Sequence, residues 1–164
     1  MASICANKGA FLVVNRLVDV AVEFDAGLHA GKPSRGIEDV IDRARSAQLA
    51  WISTSAHTDD EVRIARALGV SAAMVSPIFA TRSGAHLSGS GDPSLKVPRG
   101  LSAVASGVEI SGDDLPCVAL GGIDRERARD CFEQGARAVA TMSQWLEVPI
   151  GKFIDEWTPL LLQV

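Results

Sequence analysis

CVALGGIDRERARDCFEQGARAVA, residues 117–140, holds one structural unit from end to end. Cys117-Val-Ala-Leu120 is a continuous apolar run, the pattern of a strand covered on both faces. Gly121-Gly122 interrupts it. Asp124 then offers a carboxylate to the free N–H groups of a helix predicted to run to Gln134, and Gly135 stops that helix. Ala138-Val-Ala140 resumes a buried strand. Two strands joined through a helix need a crossover, so they lie parallel and the helix packs on their face.

The same rhythm recurs upstream. Phe11-Leu-Val-Val14 and Ala73-Met-Val75 are continuous apolar runs, expected to be strands buried on both faces, and Gly27–Ala30 and Ala50–Ser53 are weaker candidates. Ile37, Val40, Ile41 and Ala44 follow i, i+3, i+4, i+7 spacing, opposite Glu38, Asp39, Asp42 and Arg43. Thr58, followed by Asp59, Asp60 and Glu61, supplies a cap and an acidic first turn to a helix over Glu61–Leu68, which Gly69 ends. About six such units predict a parallel α/β fold, either a (β/α) TIM barrel or an open doubly wound sheet.

The chain has 164 residues, read as one domain over 1–164. Its 16 basic and 20 acidic residues leave a formal charge of −4, which disfavours nonspecific binding to nucleic acid or to an anionic membrane. No apolar run nears the roughly 20 residues of a membrane span, and no secretory pattern opens the chain, so a cytoplasmic location is expected. Cys5, Cys117 and Cys131 are scattered without a CxxC spacing and read as reduced packing residues; no metal site is expected of them.

Arg82–Gly100, RSGAHLSGSGDPSLKVPRG, breaks the rhythm. It lacks an apolar stripe and follows a strand at the end where β/α folds build their sites, so it reads as a lid. Gly121-Gly122 sits where a strand gives way to a helix, and small or hydroxyl-bearing residues, Thr141-Met142-Ser143, sit at the next such junction. Backbone N–H groups and helix N-termini at these two turns suit a phosphate.

LVVNRLVDVAVEFDAGLHAG (12–31), STSAHTDDEVRIARALGV (53–70), AAMVSPIFATRS (72–83), PCVALGGID (116–124) and GARAVATMSQW (135–145) are similar, in order and spacing, to segments of the thiamine phosphate synthase and TenI family. The resemblance implies a (β/α)₈ barrel that joins hydroxymethylpyrimidine diphosphate to a thiazole phosphate with release of pyrophosphate, helped by Mg²⁺. It implies a thiazole-phosphate site made by Thr81, Ser83, Gly121, Gly122, Met142 and Ser143. Asn15 matches a family residue beside the pyrimidine and pyrophosphate, and Ser55 one near the transferring centre. From the residues alone, Asn15 is equally a helix cap and Ser55 a turn residue.

Elsewhere the chain departs from the family. Arg16 and Ser34 stand where the resemblance places Mg²⁺-binding carboxylates, and Gly84 where it places a pyrophosphate lysine. Mg²⁺ is therefore implied by the resemblance without its ligands, though Arg16, Lys32 or Arg82 offers a diphosphate a cation directly. The tautomerase branch of the family uses a histidine where this chain has Pro77; His86, in the lid, is the nearby replacement, while His57 reads as a turn residue and His29 as facing the barrel or its rim. An active chain would be a transferase of the synthase type; the alternatives are a thiazole tautomerase and a non-catalytic phosphate-binding paralogue or fragment. The family's first two β/α units are not matched, which predicts an incomplete barrel. Phe11–Val14 and Ala138–Ala140 should then face each other across a gap, unbonded. The stripe Ile150, Phe153, Ile154, Trp157 could cover that gap, or the open edges could make a homodimer.

Overall fold

The computed structural model describes residues 2–81, 97–142, 144, 146 and 148–161. The elements run α1 (Ala2–Asn7), β1 (Val13–Asn15), α2 (Val18–Glu23), β2 (Gly27–His29), α3 (Ile37–Ser46), β3 (Ile52–Ala56), α4 (Asp59–Ala67), β4 (Ala72–Val75), α5 (Leu101–Ser111), β5 (Cys117–Leu120), α6 (Arg125–Glu133), β6 (Ala138–Ala140) and α7 (Ile150–Leu161). Six parallel strands form one sheet in the order β1-β2-β3-β4-β5-β6. Strands paired strictly in chain order are barrel topology, since a doubly wound sheet reverses its order part-way. Among the described residues β1 pairs only with β2 and β6 only with β5, so the barrel is incomplete and each end strand keeps an open edge.

The core lies between the sheet and the inner faces of its helices. Leu28, Val75 and Ala119 on the strands meet Ile41, Val62, Val104 and Cys131 on the helices, all fully buried. Small helix residues let backbones close in: a Cβ at Gly107 of α5 would lie 3.2 Å from Val75 and 3.3 Å from Cys117. Both expected caps form, Thr58 Oγ1 accepting from the Glu61 amide and Asp124 Oδ1 from the Arg127 amide. Cys5, Cys117 and Cys131 are free thiols, and burial pushes Cys117 and Cys131 up to about 11, which keeps both protonated and inert. No helix among the described residues is long and apolar enough to cross a membrane.

Four expectations change. The first run is not buried on both faces: Phe11 is 59% and Val13 41% exposed, because β1 has one strand partner and Phe11 merely meets Trp51 edge-on. The third strand lies at Ile52–Ala56, later than Ala50–Ser53, since its buried positions include the polar Ser53 and Thr54. Helices α1, α2 and α5 were not foreseen. In α7 the buried positions are Trp157 and Leu160, with Phe153 stacked on Trp157 at 5.2 Å. Ile150 and Ile154 face solvent, and the helix packs on α6, along the outer wall of the last unit.

Leu28 is fully buried at the centre of β2. Leu28→Ala should lower the unfolding free energy by about 2–5 kcal/mol, read from urea denaturation.

Candidate functional site

The segment leaving β4 lies directly on the turn leaving β5. Its Ile78 amide donates to Leu120 O at 3.0 Å and its Phe79 amide to Gly121 O at 3.0 Å. Gly121 and Gly122 take φ of 108° and 62°, a region that L side chains rarely enter. A Cβ at Gly122 would fall 2.3 Å from Ala80 O, and one at Gly121 would fall 3.0 Å from Pro77 Cα. Both glycines are thus demanded by the chain's own backbone. Arg127 locks the turn from outside, donating to Gly122 O at 2.7 Å while its guanidinium sits 4.9 Å from the Phe79 ring centre. Thr141 Oγ1 donates to Ile123 O at 3.1 Å, tying the end of β6 to the same turn. Thr81 is half-buried just beyond Ala80, and Met142 is exposed. Ser83, His86 and Ser143 lie outside the described residues, as does most of the expected lid.

A polar network fills the inner rim between β2 and β3. His29 Nδ1 lies 3.0 Å from Ser53 Oγ and its Nε2 lies 3.0 Å from Ser55 Oγ. A neutral imidazole has one donor and one acceptor nitrogen, so it bonds one hydroxyl each way. Burial depresses the His29 pKa below 6.5 and keeps the ring neutral. Ser55 is therefore held through His29, a partner 26 positions away that local sequence does not reveal. His57 Nδ1 reaches Ser76 O at 2.9 Å, which pins the turn after β3 to the exit of β4.

The third cluster sits at the ends of β1 and β2. Asn15 is exposed and is not a cap: the N-cap of α2 is Leu17, and no side chain caps that helix. Arg16 has φ of 65°, and its amide donates to His29 O at 2.9 Å. Arg16, Lys32, Ser34 and Arg35 line a cavity of about 360 Å³ that ends on the start of α3. Mg²⁺ takes oxygen ligands, commonly one or two carboxylates. This cavity offers guanidinium, ammonium and hydroxyl groups, and no cluster able to hold a metal occurs among the described residues. Mg²⁺ does not fit here.

A model of the family described as thiamine monophosphate synthase matches residues 1–145. The chain belongs to that family. It is 32% identical over 144 residues to thiamine-phosphate synthases of Bacillus mycoides (strain KBAB4) and Bacillus thuringiensis (strain Al Hakam), an overlap covering 87% of this chain and 60% of each relative. The chain thus spans about 60% of the length of these curated synthases. Its fold is similar to that of the thiamine phosphate pyrophosphorylase from Pyrococcus furiosus, with a TM-score of 0.79 and 22% identity over 99% of this chain and 72% of that one. At that identity the likeness shows the barrel fold alone.

The neutral His29 makes stability depend on pH. Its folded pKa is below the unfolded value of 6.5, so the unfolded chain binds more protons between the two. The contribution is complete above 6.5 and is lost as pH falls through the depressed folded value. Denaturant midpoints between about pH 8 and pH 5 should fall on acidification, and His29→Gln should flatten that slope.

Proposed function

We propose that this member of the thiamine monophosphate synthase family binds a small phosphorylated thiazole at the joined ends of β4, β5 and β6, and works in thiamine biosynthesis as a synthase-type transferase. The phosphate would be held by Thr81, Ser83, Gly121, Gly122, Met142 and Ser143, with Asn15 and Ser55 orienting a hydroxymethylpyrimidine diphosphate. What supports the reading most is the pair of bonds from Ile78 and Phe79 to the turn after β5, which brings the segment ending in Thr81 beside the N-terminal end of α6. A hydroxyl next to the helix N–H groups that the Asp124 cap does not engage suits a phosphate monoester without a metal.

In the coupling reaction the bond between the pyrimidine's methylene carbon and the diphosphate oxygen breaks, and the diphosphate leaves with the electron pair. The thiazole nitrogen then donates its lone pair to that carbon. The demand on the protein is to stabilise the charge growing on the leaving diphosphate. No step is assigned to Mg²⁺. The tautomerase reading is weaker, because Pro77 offers no group to carry a proton and the reading rests on His86 alone.

Calorimetric titration with a thiazole alkyl phosphate tests the binding half. Wild type should bind, and Thr81→Val should weaken binding about tenfold, the effect of one lost hydrogen bond to a charged ligand. Gly122→Val should abolish it by driving Ala80 away from the turn. No binding by wild type would overturn the reading. In an assay with both substrates, Mg²⁺-dependent thiamine phosphate formation should be weak or absent; robust coupling that needs Mg²⁺ would show that other carboxylates serve.

We also propose that the open edge of β1, with Phe11, Val13 and Leu17 exposed beside it, makes the chain a homodimer or leaves it prone to aggregation. Light scattering across concentration checks this. A concentration-independent monomer with a sharp thermal transition would mean that the shortened barrel protects its own edges.

A further inference from the structure

The cavity at the ends of β1 and β2 gathers three cations of this acidic chain that no carboxylate neutralises. Arg43, Arg45, Arg63, Arg66, Arg99 and Arg127 are each paired with a carboxylate. Among the described residues Arg16, Lys32 and Arg35 have neither an ion pair nor a side-chain hydrogen bond. All three line one cavity of about 360 Å³ with Ser34, and no carboxylate lines it. Two acidic residues stand close by, Glu38 and Asp39 in the first turn of α3. Asp39 lines a separate groove with Asp19 and Arg43, and Glu38 is exposed outside the cavity. Like charges gathered in one concavity repel, and an anion between them removes the repulsion.

Two backbone features point the same way. Arg16 sits at φ 65°, in the left-handed region that an arginine enters only at a cost in strain. That conformation, fixed by the bond from its amide to His29 O, lays its side chain beside Gly31, with Cδ and Nε 3.8 and 3.9 Å from where a Cβ would be. The N-cap of α3 is Gly36, which provides no side-chain acceptor; the Ile37 amide donates to Ser34 O at 3.0 Å, and the positive end of the ten-residue helix lies at the cavity wall.

We infer that this cavity is a metal-independent site for a diphosphate group, in which Arg16, Lys32, Arg35 and the Ser34 hydroxyl bond the anion's oxygens directly. Guanidinium groups present several donors in a plane that matches phosphate oxygens, and the ammonium of Lys32 adds a mobile positive charge. Three cations on two loops suit two linked phosphoryl groups better than one. The site is separate from the β4–β6 junctions, so it and the thiazole-phosphate reading can fail independently.

Inorganic pyrophosphate is the probe, titrated calorimetrically into the full chain in buffer containing EDTA. Binding should occur without divalent metal, weaken steadily with added sodium chloride, and exceed that of orthophosphate by about tenfold. Lys32→Gln and Arg35→Gln change exposed loop positions, and each should weaken binding about tenfold with an unchanged thermal melt. Arg16→Asn, chosen because asparagine tolerates a positive φ, should do the same. Thr81→Val should leave pyrophosphate binding intact. Binding that appears only with Mg²⁺, affinity unmoved in the Lys32→Gln/Arg35→Gln double variant, or no binding by wild type would each overturn the assignment.

Discussion

The carbonyl oxygen of Ala80 occupies the place where a side chain at position 122 would begin. That one close approach sets the upper half of the barrel mouth. It requires glycine at 122, lets the exit of β4 run across the end of β5, and holds Phe79 where Arg127 of α6 can cover its ring. Thr141 then ties β6 to the same turn through Ile123. Three β/α units converge on one backbone contact, and no side chain in it is large enough to be replaced by a near equivalent.

The described ends of the connection between β4 and α5 lie against each other. Where the chain returns, the Arg99 amide donates to Pro77 O and the Gly100 amide to Ile78 O, both at 2.9 Å. Arg99 and Gly100 are therefore bonded to Pro77 and Ile78, just after β4. Arg99 also reaches Asp59 at 2.7 Å, and Ser106 of α5 donates to the other oxygen of that carboxylate. The Ser106 bond, with the hydrogen bond and charge of Arg99, holds the Asp59 carboxyl below its ordinary range, although its partial burial works the other way. These bonds tie residues 99 and 100 to α4 and α5 on one side and to the exit of β4 on the other.

Much of the fold was legible because its signals are local. The strands at 117–120 and 138–140 fall where the apolar runs put them, and Thr58 and Asp124 cap as their side chains allow. What local pattern could not show was coverage. Phe11-Leu-Val-Val14 reads as buried because it is continuously apolar, but burial needs neighbours, and β1 has them on one edge only. Leu101–Ser111 hides as a helix for the opposite reason: its small residues, Ala103, Ala105, Ser106 and Gly107, blur the apolar stripe while allowing the backbone to press on Val75 and Cys117. The site divides in the same way. Glycines and hydroxyls could be placed at strand ends from sequence alone, whereas the His29 bridge between Ser53 and Ser55, and the meeting of Arg16 with Lys32 and Arg35, exist only once β1, β2 and β3 lie side by side.

This division changes which residues carry information about ligands. Gly121-Gly122 is the feature that a motif search notices first, yet Pro77 and Ala80 would demand both glycines in an empty barrel. Their presence is compatible with a phosphate and does not by itself require one. The cluster at the other end has the opposite character. Nothing in the packing asks for an arginine in a left-handed conformation at 16, nor for lysine and arginine at 32 and 35 to share a cavity wall without partners. A carboxylate site must first recruit a metal to become attractive to a diphosphate, whereas fixed guanidinium and ammonium groups are attractive without one and cannot be removed by a chelator. Arg16 and Ser34 supply no metal ligand, yet with Lys32 and Arg35 they bring positive charge and a hydroxyl to one cavity wall, which becomes visible only in three dimensions.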